Sequence, residues 1–179
     1  MVRIGLCGTM SVGKTTLVNE LKKLDEFKDY KFFTERSKEL SKIGAPLNRE
    51  STLKGQTIFM LERISELGEE NMFADRTLID VLSFTLASPN ITIGYKDTFR
   101  ALTKSMVKDY DLIIYIPPIV EMEDNGVRET NLEFREIIDN QILKIIDDFG
   151  LNNIHKLQNV GIEDRVKEIV KVIKDVKDK

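Results

Sequence analysis

The most restrictive feature of this sequence is a glycine-rich segment, Gly8 to Thr15, that fits the pattern G-x-x-x-x-G-K-S/T. It follows a short apolar run, Val2 to Cys7, and precedes leucines and valines at helical spacing, so it joins a buried strand to a helix. Glycines let the backbone wrap closely around an anion, with its N–H groups and the helix N-terminus directed at phosphate oxygens. The segment therefore predicts a phosphate-binding loop for a nucleoside triphosphate.

The side chains of this loop have expected tasks. Lys14 places its ammonium charge on the β- and γ-phosphates, and the hydroxyl of Thr15 is a ligand for Mg²⁺. The residues expected to contact the nucleotide are Gly8, Ser11, Val12, Gly13, Lys14, Thr15 and Thr16. We expect ATP and Mg²⁺ as cofactors, and not GTP, because the stretch 116–119 carries no N-K-x-D base-reading motif.

Apolar runs of strand length alternate with segments of helical spacing along the whole chain. The predicted strands are Val2–Cys7, Lys31–Thr34, Asn71–Ala74, Leu112–Ile116 and Ile154–Leu157. This alternation predicts an α/β fold with a mostly parallel sheet and helices on both faces, in one domain spanning 1–179. The helix before the third strand is expected to bury residues at three-residue steps, namely Ile58, Leu61, Ile64 and Leu67. The end of the chain, 174–179, is expected to fray.

The amino-acid composition indicates the class of protein and its expected cellular location. The chain has 179 residues, 41% of them hydrophobic and 32% charged, which is the balance of a globular protein. Its single cysteine cannot form an internal disulfide, and no run approaches the roughly 20 apolar residues that cross a bilayer. We therefore expect a cytoplasmic protein with no signal peptide and no membrane partner. The net charge of −3 argues against a nucleic-acid partner, and a monomer and a homodimer are both left open.

Charged residues follow several predicted strands, and the carboxyl ends of parallel strands share the edge of a sheet where ligands bind. Asp75 directly follows the third strand and is the expected second metal contact, whereas Asp111 begins its strand and belongs at the opposite edge. Glu35, after the second strand, is the candidate base or acceptor-positioning group. Arg76 is the candidate ligand for the acceptor or the transferring phosphate.

A polar segment after the fourth strand is expected to cover the phosphates as a lid over residues 119–140. Arg128 and Arg135 lie seven residues apart, two helical turns, and so can share a face that neutralises phosphate charge and excludes water on closure. Gln56 has two interpretations, a surface residue or a reader of a base edge. The single histidine, His155, is interpreted as structural.

Together these segments resemble a known family. The phosphate loop, Asp75-Arg76, the stretch 123–128 with Arg135, and the stretch 161–165 look like the compact P-loop kinases related to the nicotinamide riboside kinase domain of the bacterial NAD-synthesis regulator. More distant similarity is to deoxynucleoside and thymidylate kinases. The resemblance implies a P-loop NTPase fold of the nucleotide-kinase type, with three αβα layers, a five-stranded parallel sheet in the order 2-3-1-4-5 and a helical lid.

The resemblance also implies tasks for individual residues. In the deoxynucleoside and thymidylate kinases an acid and an arginine after the third strand serve metal and substrate, as Asp75 and Arg76 would here. A glutamate after the second strand meets the acceptor hydroxyl, as Glu35 would. Because stand-alone members are often phage-encoded, a viral role in nucleotide metabolism or DNA modification is implied as well.

Three functions are consistent with these patterns. The first is an ATP-dependent kinase of a nucleoside, nucleotide or nicotinamide riboside-like acceptor. The second is a kinase of a polynucleotide or a modified base, with nearly the same chemistry but an exposed basic groove. The third is a P-loop ATPase that works as a switch or in an assembly, hydrolysing ATP without an acceptor.

Overall fold

The computed structural model describes residues 2–34, 37, 42, 44, 46–118 and 132–178. Within these residues the strands are β1 (Arg3–Cys7), β2 (Lys31–Phe33), β3 (Met72–Ala74), β4 (Leu112–Tyr115) and β5 (Ile154–Lys156). The helices are α1 (Lys14–Leu21), α2 (Leu53–Glu66), α3 (Leu78–Ala87), α4 (Ile93–Met106), α5 (Leu132–Asp148) and α6 (Ile162–Lys177). Each strand lies inside the segment predicted for it.

The strands form one parallel sheet in the order β2-β3-β1-β4-β5, which confirms the order that the resemblance implies. Gly5 of β1 lies opposite Ala74 of β3 on one side and Ile113 of β4 on the other. Because β1 is the central strand, the loop that follows it leaves the middle of the sheet edge. This is where ligands bind in an open parallel sheet.

The core has two layers, one on each face of the sheet. Successive side chains of a strand point to opposite faces, so Ile4 and Leu6 pack with α1 and α6, while Cys7 packs with α2 to α5. All three of these side chains are fully buried. Burial of each large aliphatic side chain contributes about 1.5–3 kcal/mol, and this two-sided burial holds the strand ends in place. In the described ranges, no helix has both the length and the apolar character needed to cross a bilayer.

The buried face of α2 differs from the predicted one. Leu61 is 59% exposed, and the buried residues of this helix are Gly55, Gln56, Met60, Arg63 and Glu66. With about 3.6 residues per turn, each three-residue step falls about 60° short of a full turn, so four residues at this spacing do not stay on one face. The sequence interpretation was therefore wrong for Leu61, whereas Leu67, directly after the helix, is buried.

The end of the chain is also more ordered than expected, because α6 continues to Lys177. Ile173 is 1% exposed, and the ammonium of Lys177 lies 5.1 Å from the centroid of the Tyr30 ring. The apolar stripe and this cation–π contact hold the last turn against the sheet layer.

Candidate active site

The phosphate loop turns from β1 into α1 through a left-handed backbone. Gly13, at the N-cap of α1, has a φ of 89°, and Ser11 has a φ of 59°, which is uncommon for a residue with a side chain. At Gly8 a Cβ would lie 2.7 Å from the carbonyl oxygen of Ile116, so glycine is required for this approach to the end of β4. The Ser11 hydroxyl is buried and has no hydrogen-bond partner in the described part of the chain. A strained loop with an unsatisfied hydrogen-bond donor is consistent with the predicted binding of an anion.

Lys14 is buried against its own loop, at 6% exposure. Its Nζ donates to the carbonyl oxygens of Gly8, at 2.5 Å, and Thr9, at 2.8 Å. The ammonium is thus held at the loop by two backbone carbonyl groups. Phosphate oxygens carry charge and are stronger partners for it than neutral carbonyls.

Thr15 and Asp75 meet at the sheet edge, as predicted from their positions after β1 and β3. The Thr15 hydroxyl donates to Asp75 Oδ2 at 2.6 Å, and Asp75 is fully buried. Asp111, by contrast, lies at the opposite edge, where Oδ2 accepts from the backbone N–H of Arg3 at 2.7 Å. A hydroxyl and a carboxylate at this distance are oxygen ligands of the kind that Mg²⁺ prefers. The described residues contain no cluster of three or more His, Cys, Asp or Glu fit for a metal.

A buried carboxylate, Asp80, joins the phosphate loop to the beginning of α3. Its Oδ1 accepts from the backbone N–H of Gly8 at 3.1 Å, and its Oδ2 accepts from the N–H and hydroxyl of Thr77, both at 2.8 Å. Thr77 and Asp80 form a capping box at the N-terminus of α3. The Thr77 methyl also packs so tightly on β1 that no Cβ fits at Gly5. Asp75 and Arg76, which precede this cap, are therefore fixed relative to the loop.

Arg76 faces a small pocket between α2 and α3. Its guanidinium lies 5.1 Å from the centroid of the Phe84 ring, on which it stacks. The pocket has a volume of about 30 Å³, and its walls include Asn48, Gln56, Phe59, Arg76, Val81 and Phe84. Gln56 is only 3% exposed, so the interpretation of this residue as a surface glutamine is wrong. A planar cation, an amide and an aromatic ring therefore line one cavity, whose volume is that of about one water molecule.

Arg135 is brought to the phosphate loop by the first turn of α5. Its backbone carbonyl accepts from the Thr9 hydroxyl at 3.1 Å, and the residue is 6% exposed. Burial lowers the pKa of Arg135, and Asp139 opposes the shift. Asp139 in turn accepts from the hydroxyl of Tyr115, the last residue of β4, at 2.8 Å.

Glu35, Arg128 and most of the predicted lid, residues 119–131, lie outside the described residues. Their predicted roles as base and lid arginine stay predictions. The described part of the lid, residues 132–140, is the beginning of α5.

The loop between β5 and α6 is braced by Glu168. This carboxylate accepts from the backbone N–H groups of Gln158 and Asn159, both at 3.0 Å, and from the Asn159 side chain at 2.6 Å. His155 Nε2 lies 2.7 Å from the same group, in keeping with its structural interpretation. Burial raises the pKa of Glu168, but the hydrogen bonds from His155, Asn159 and Gln158 outweigh it and leave the pKa below its ordinary value.

Arg165, in the first turn of α6, connects this loop to the phosphate loop. Its Nε donates to the carbonyl oxygen of Asn159 at 2.9 Å and its Nη1 to the carbonyl oxygen of Val12 at 3.1 Å. Arg165 is 3% exposed. Its burial lowers the pKa of the guanidinium, against the influence of Glu168.

A family model described as an AAA domain matches residues 3–165, nearly the whole of the fold above. The chain belongs to the AAA domain family. Among curated protein sequences, none matches it.

Solved structures similar to this AAA domain include nucleoside and nucleotide kinases. Deoxyadenosine kinase from M. mycoides has a TM-score of 0.70 at 16% identity, over 97% of this chain and 98% of that one. Thymidylate kinase from Candida albicans has a TM-score of 0.68 at 15% identity, over 98% of this chain and 92% of that one. The NadR protein in complex with NAD and AMP-PNP has a TM-score of 0.71 at 18% identity, over 97% of this chain but 48% of that one. The AAA domain thus spans about half of NadR, and at these identities the likeness shows the fold.

Asp80 was missed in the sequence, and Arg165 was included in the stretch 161–165 that carries the resemblance but was given no role. Thr77 and Asp80 have the three-residue separation of a capping box, which would have placed Asp80 at the beginning of α3. Arg165 lies on the same stripe of α6 as Ile169 and Ile173, both buried. A cation on an apolar stripe is the signal that would have revealed it.

Proposed function

We propose that this chain is an ATP-dependent kinase that phosphorylates a nucleoside, a nucleotide or a nicotinamide riboside-like acceptor. The observation that carries the proposal is the contact between Thr15 and Asp75, 2.6 Å apart, directly beside the buried Lys14. Arg76, the next residue, opens onto the pocket that contains Gln56. The residues proposed for the triphosphate and those proposed for the acceptor therefore adjoin at the consecutive pair Asp75-Arg76.

The proposed reaction transfers the γ-phosphoryl group of ATP to an acceptor hydroxyl. A new P–O bond forms to the acceptor oxygen, the bond from the γ-phosphorus to the ADP oxygen breaks, and the hydroxyl proton passes to Glu35. Lys14 stabilises the charge on the β- and γ-phosphates, and Arg135 and Arg128 add positive charge from the lid side. Thr15 and Asp75 would hold Mg²⁺, which supplies charge neutralisation at the β- and γ-oxygens.

The test is incubation of the purified protein with Mg-ATP and a panel of acceptors. The panel contains nucleosides, nucleotides, nicotinamide riboside and an oligonucleotide with a 5′ hydroxyl. ADP release and the mass of the phosphorylated product are measured together, with Lys14→Ala as the inactive control. We expect product from one of the small acceptors, because the similar solved structures include kinases of nucleosides and nucleotides.

Two other outcomes would overturn the proposal. Phosphorylation of the oligonucleotide alone would assign a polynucleotide kinase. ADP release at the same rate with and without every acceptor would assign an ATPase.

Glu35→Gln tests the proposed base. We expect this variant to lower kcat by 10²-fold or more, within the ~10²–10⁴-fold range of general-base catalysis, while the affinity for Mg-ATP stays near that of the wild type. Glu20→Gln, which changes a half-exposed glutamate of α1, is the matched control. Wild-type turnover of Glu35→Gln at saturating acceptor would exclude Glu35 as the base.

A further inference from the structure

Arg165 is a buried cation whose described partners are backbone carbonyl groups. It is 3% exposed, and it reaches Val12 from 153 positions away in the sequence. Its Nη2 is buried and has no hydrogen-bond partner among the residues that the structure describes. Taking a charge out of water is costly, and apolar residues often replace buried charges without loss of stability. Stability alone is therefore a weak reason for an arginine here.

The contact with Val12 fixes the direction of one peptide group in the phosphate loop. A trans peptide is planar, so its C=O and N–H point to opposite sides. Arg165 Nη1 donates to the Val12 carbonyl at 3.1 Å. The N–H of Gly13 belongs to the same peptide and so points away from Arg165. This N–H is one of the donors available to a phosphate in a loop of this kind.

The arginine itself is held in place by the loop between β5 and α6. Its Nε donates to the Asn159 carbonyl at 2.9 Å, and Asn159 is held by two hydrogen bonds to Glu168. A fork of donors can engage two carbonyl groups at once, which a lysine ammonium on a flexible stem does less well. Gly13 has a φ of 89°. Because glycine adopts positive and negative φ values about equally readily, the contact from Arg165 helps to keep the Val12–Gly13 peptide in this orientation.

We propose that Arg165 is a positioning residue that orients the Val12–Gly13 peptide toward the β-phosphate of the bound nucleotide. The inference rests on the proposed use of the loop for ATP, and it goes further by assigning a task to α6. It does not require that the acceptor be known.

The experiment compares the affinities of MgADP and AMP for wild type, Arg165→Met and Arg165→Lys by calorimetry. AMP lacks the β-phosphate, so it reports only the contacts made elsewhere in the site. Arg63→Met is the matched control, because Arg63 is equally buried, at 2% exposure, but pairs with Glu66 of α2. All proteins are measured well below the melting temperature of the least stable variant.

We expect Arg165→Met to lower the affinity for MgADP about 10-fold or more, in line with the loss of one hydrogen bond to a charged group, and to leave AMP nearly unchanged. The affinity of Arg165→Lys for MgADP should lie between those of the wild type and Arg165→Met. Arg63→Met should keep the wild-type ratio of ADP to AMP affinity. An unchanged ratio in Arg165→Met, or equal losses for both nucleotides, would overturn the proposal. A wild type that does not prefer ADP to AMP would overturn it as well.

These results distinguish the proposed kinase function from the proposed role of Arg165. If the wild type prefers MgADP and Arg165→Met loses that preference, the assignment of Arg165 stands even when no acceptor is phosphorylated. If an acceptor is phosphorylated and the preference survives in Arg165→Met, the kinase proposal stands and the assignment of Arg165 is wrong.

Discussion

The contact between Thr15 and Asp75 joins two side chains 60 positions apart in the sequence. Asp75→Asn keeps the shape of this side chain and removes its negative charge. We expect the variant to require more Mg²⁺ and to lose about 10- to 100-fold in activity, because the carboxylate is a stronger metal partner than an amide. Turnover measured over a Mg²⁺ titration checks this.

The control for that prediction is Asp111→Asn. Asp111 is also at a strand end, but at the amino edge of the sheet, where it accepts from the N–H of Arg3. Its Mg²⁺ dependence should equal that of the wild type. A similar shift in both variants would mean that the metal does not bind at Asp75.

Glu66 predicts a pH dependence of stability that is separate from the active site. It is 2.5 Å from Arg63, and both side chains are buried. Burial raises the pKa of Glu66 from 4.5 to about 7, and Arg63 opposes the shift. The folded state therefore holds the proton more tightly than the unfolded state. Its contribution to stability is complete below about pH 4.5 and is lost as the pH rises through 7.

Urea unfolding at pH 5 and pH 8 measures this contribution. We expect the free energy of unfolding to fall by about 1–3 kcal/mol more in the wild type than in Glu66→Gln, which has no carboxyl proton to lose. Parallel pH profiles for the two proteins would show that Glu66 does not titrate in this range.

At the scale of elements, Asp80 connects α3 with the phosphate loop. Asp80→Ala removes the acceptor of two buried backbone N–H groups, those of Gly8 and Thr77. We expect a loss of about 2–5 kcal/mol in the free energy of unfolding, from the cap and from the two unsatisfied donors. Ser83→Ala changes a buried residue of the same helix whose hydroxyl donates to the Ile79 carbonyl, at 2.7 Å. It should cost under ~1 kcal/mol, so equal losses in urea unfolding would contradict the proposed connection.

The elements show which parts of the fold a sequence can predict. The five strands and the loop motif were predictable because their signals are local: short apolar runs, glycine spacing, and an acid directly after Ala74. The buried face of α2 could not be predicted, because Arg63 and Glu66 interrupt the apolar pattern of this helix and yet form an ion pair inside the core. Asp80 was missed and Arg165 was given no role, because their contacts are with residues that the topology, and not the sequence, brings near.

For the molecule as a whole, binding of Mg-ATP should stabilise the fold. A ligand at 100 times its Kd adds about 2.7 kcal/mol to the free energy of unfolding, which raises Tm by several degrees in a domain of this size. Differential scanning fluorimetry of wild type and Lys14→Ala tests this, with AMP as a ligand that lacks the γ-phosphate. The variant should show little shift, and a full shift in Lys14→Ala would place the nucleotide elsewhere.

The central position of β1 has a consequence for the order of assembly. Its partners are β3 and β4, so its last pairing, Cys7 with Tyr115, closes a span of more than a hundred residues. Contacts so distant along the chain form slowly, since their loop entropy is lost before they contribute. During translation the phosphate loop leaves the ribosome about a hundred residues before β4 does. The strand that precedes this loop, β1, cannot pair with a strand on each side until β4 has also been synthesised.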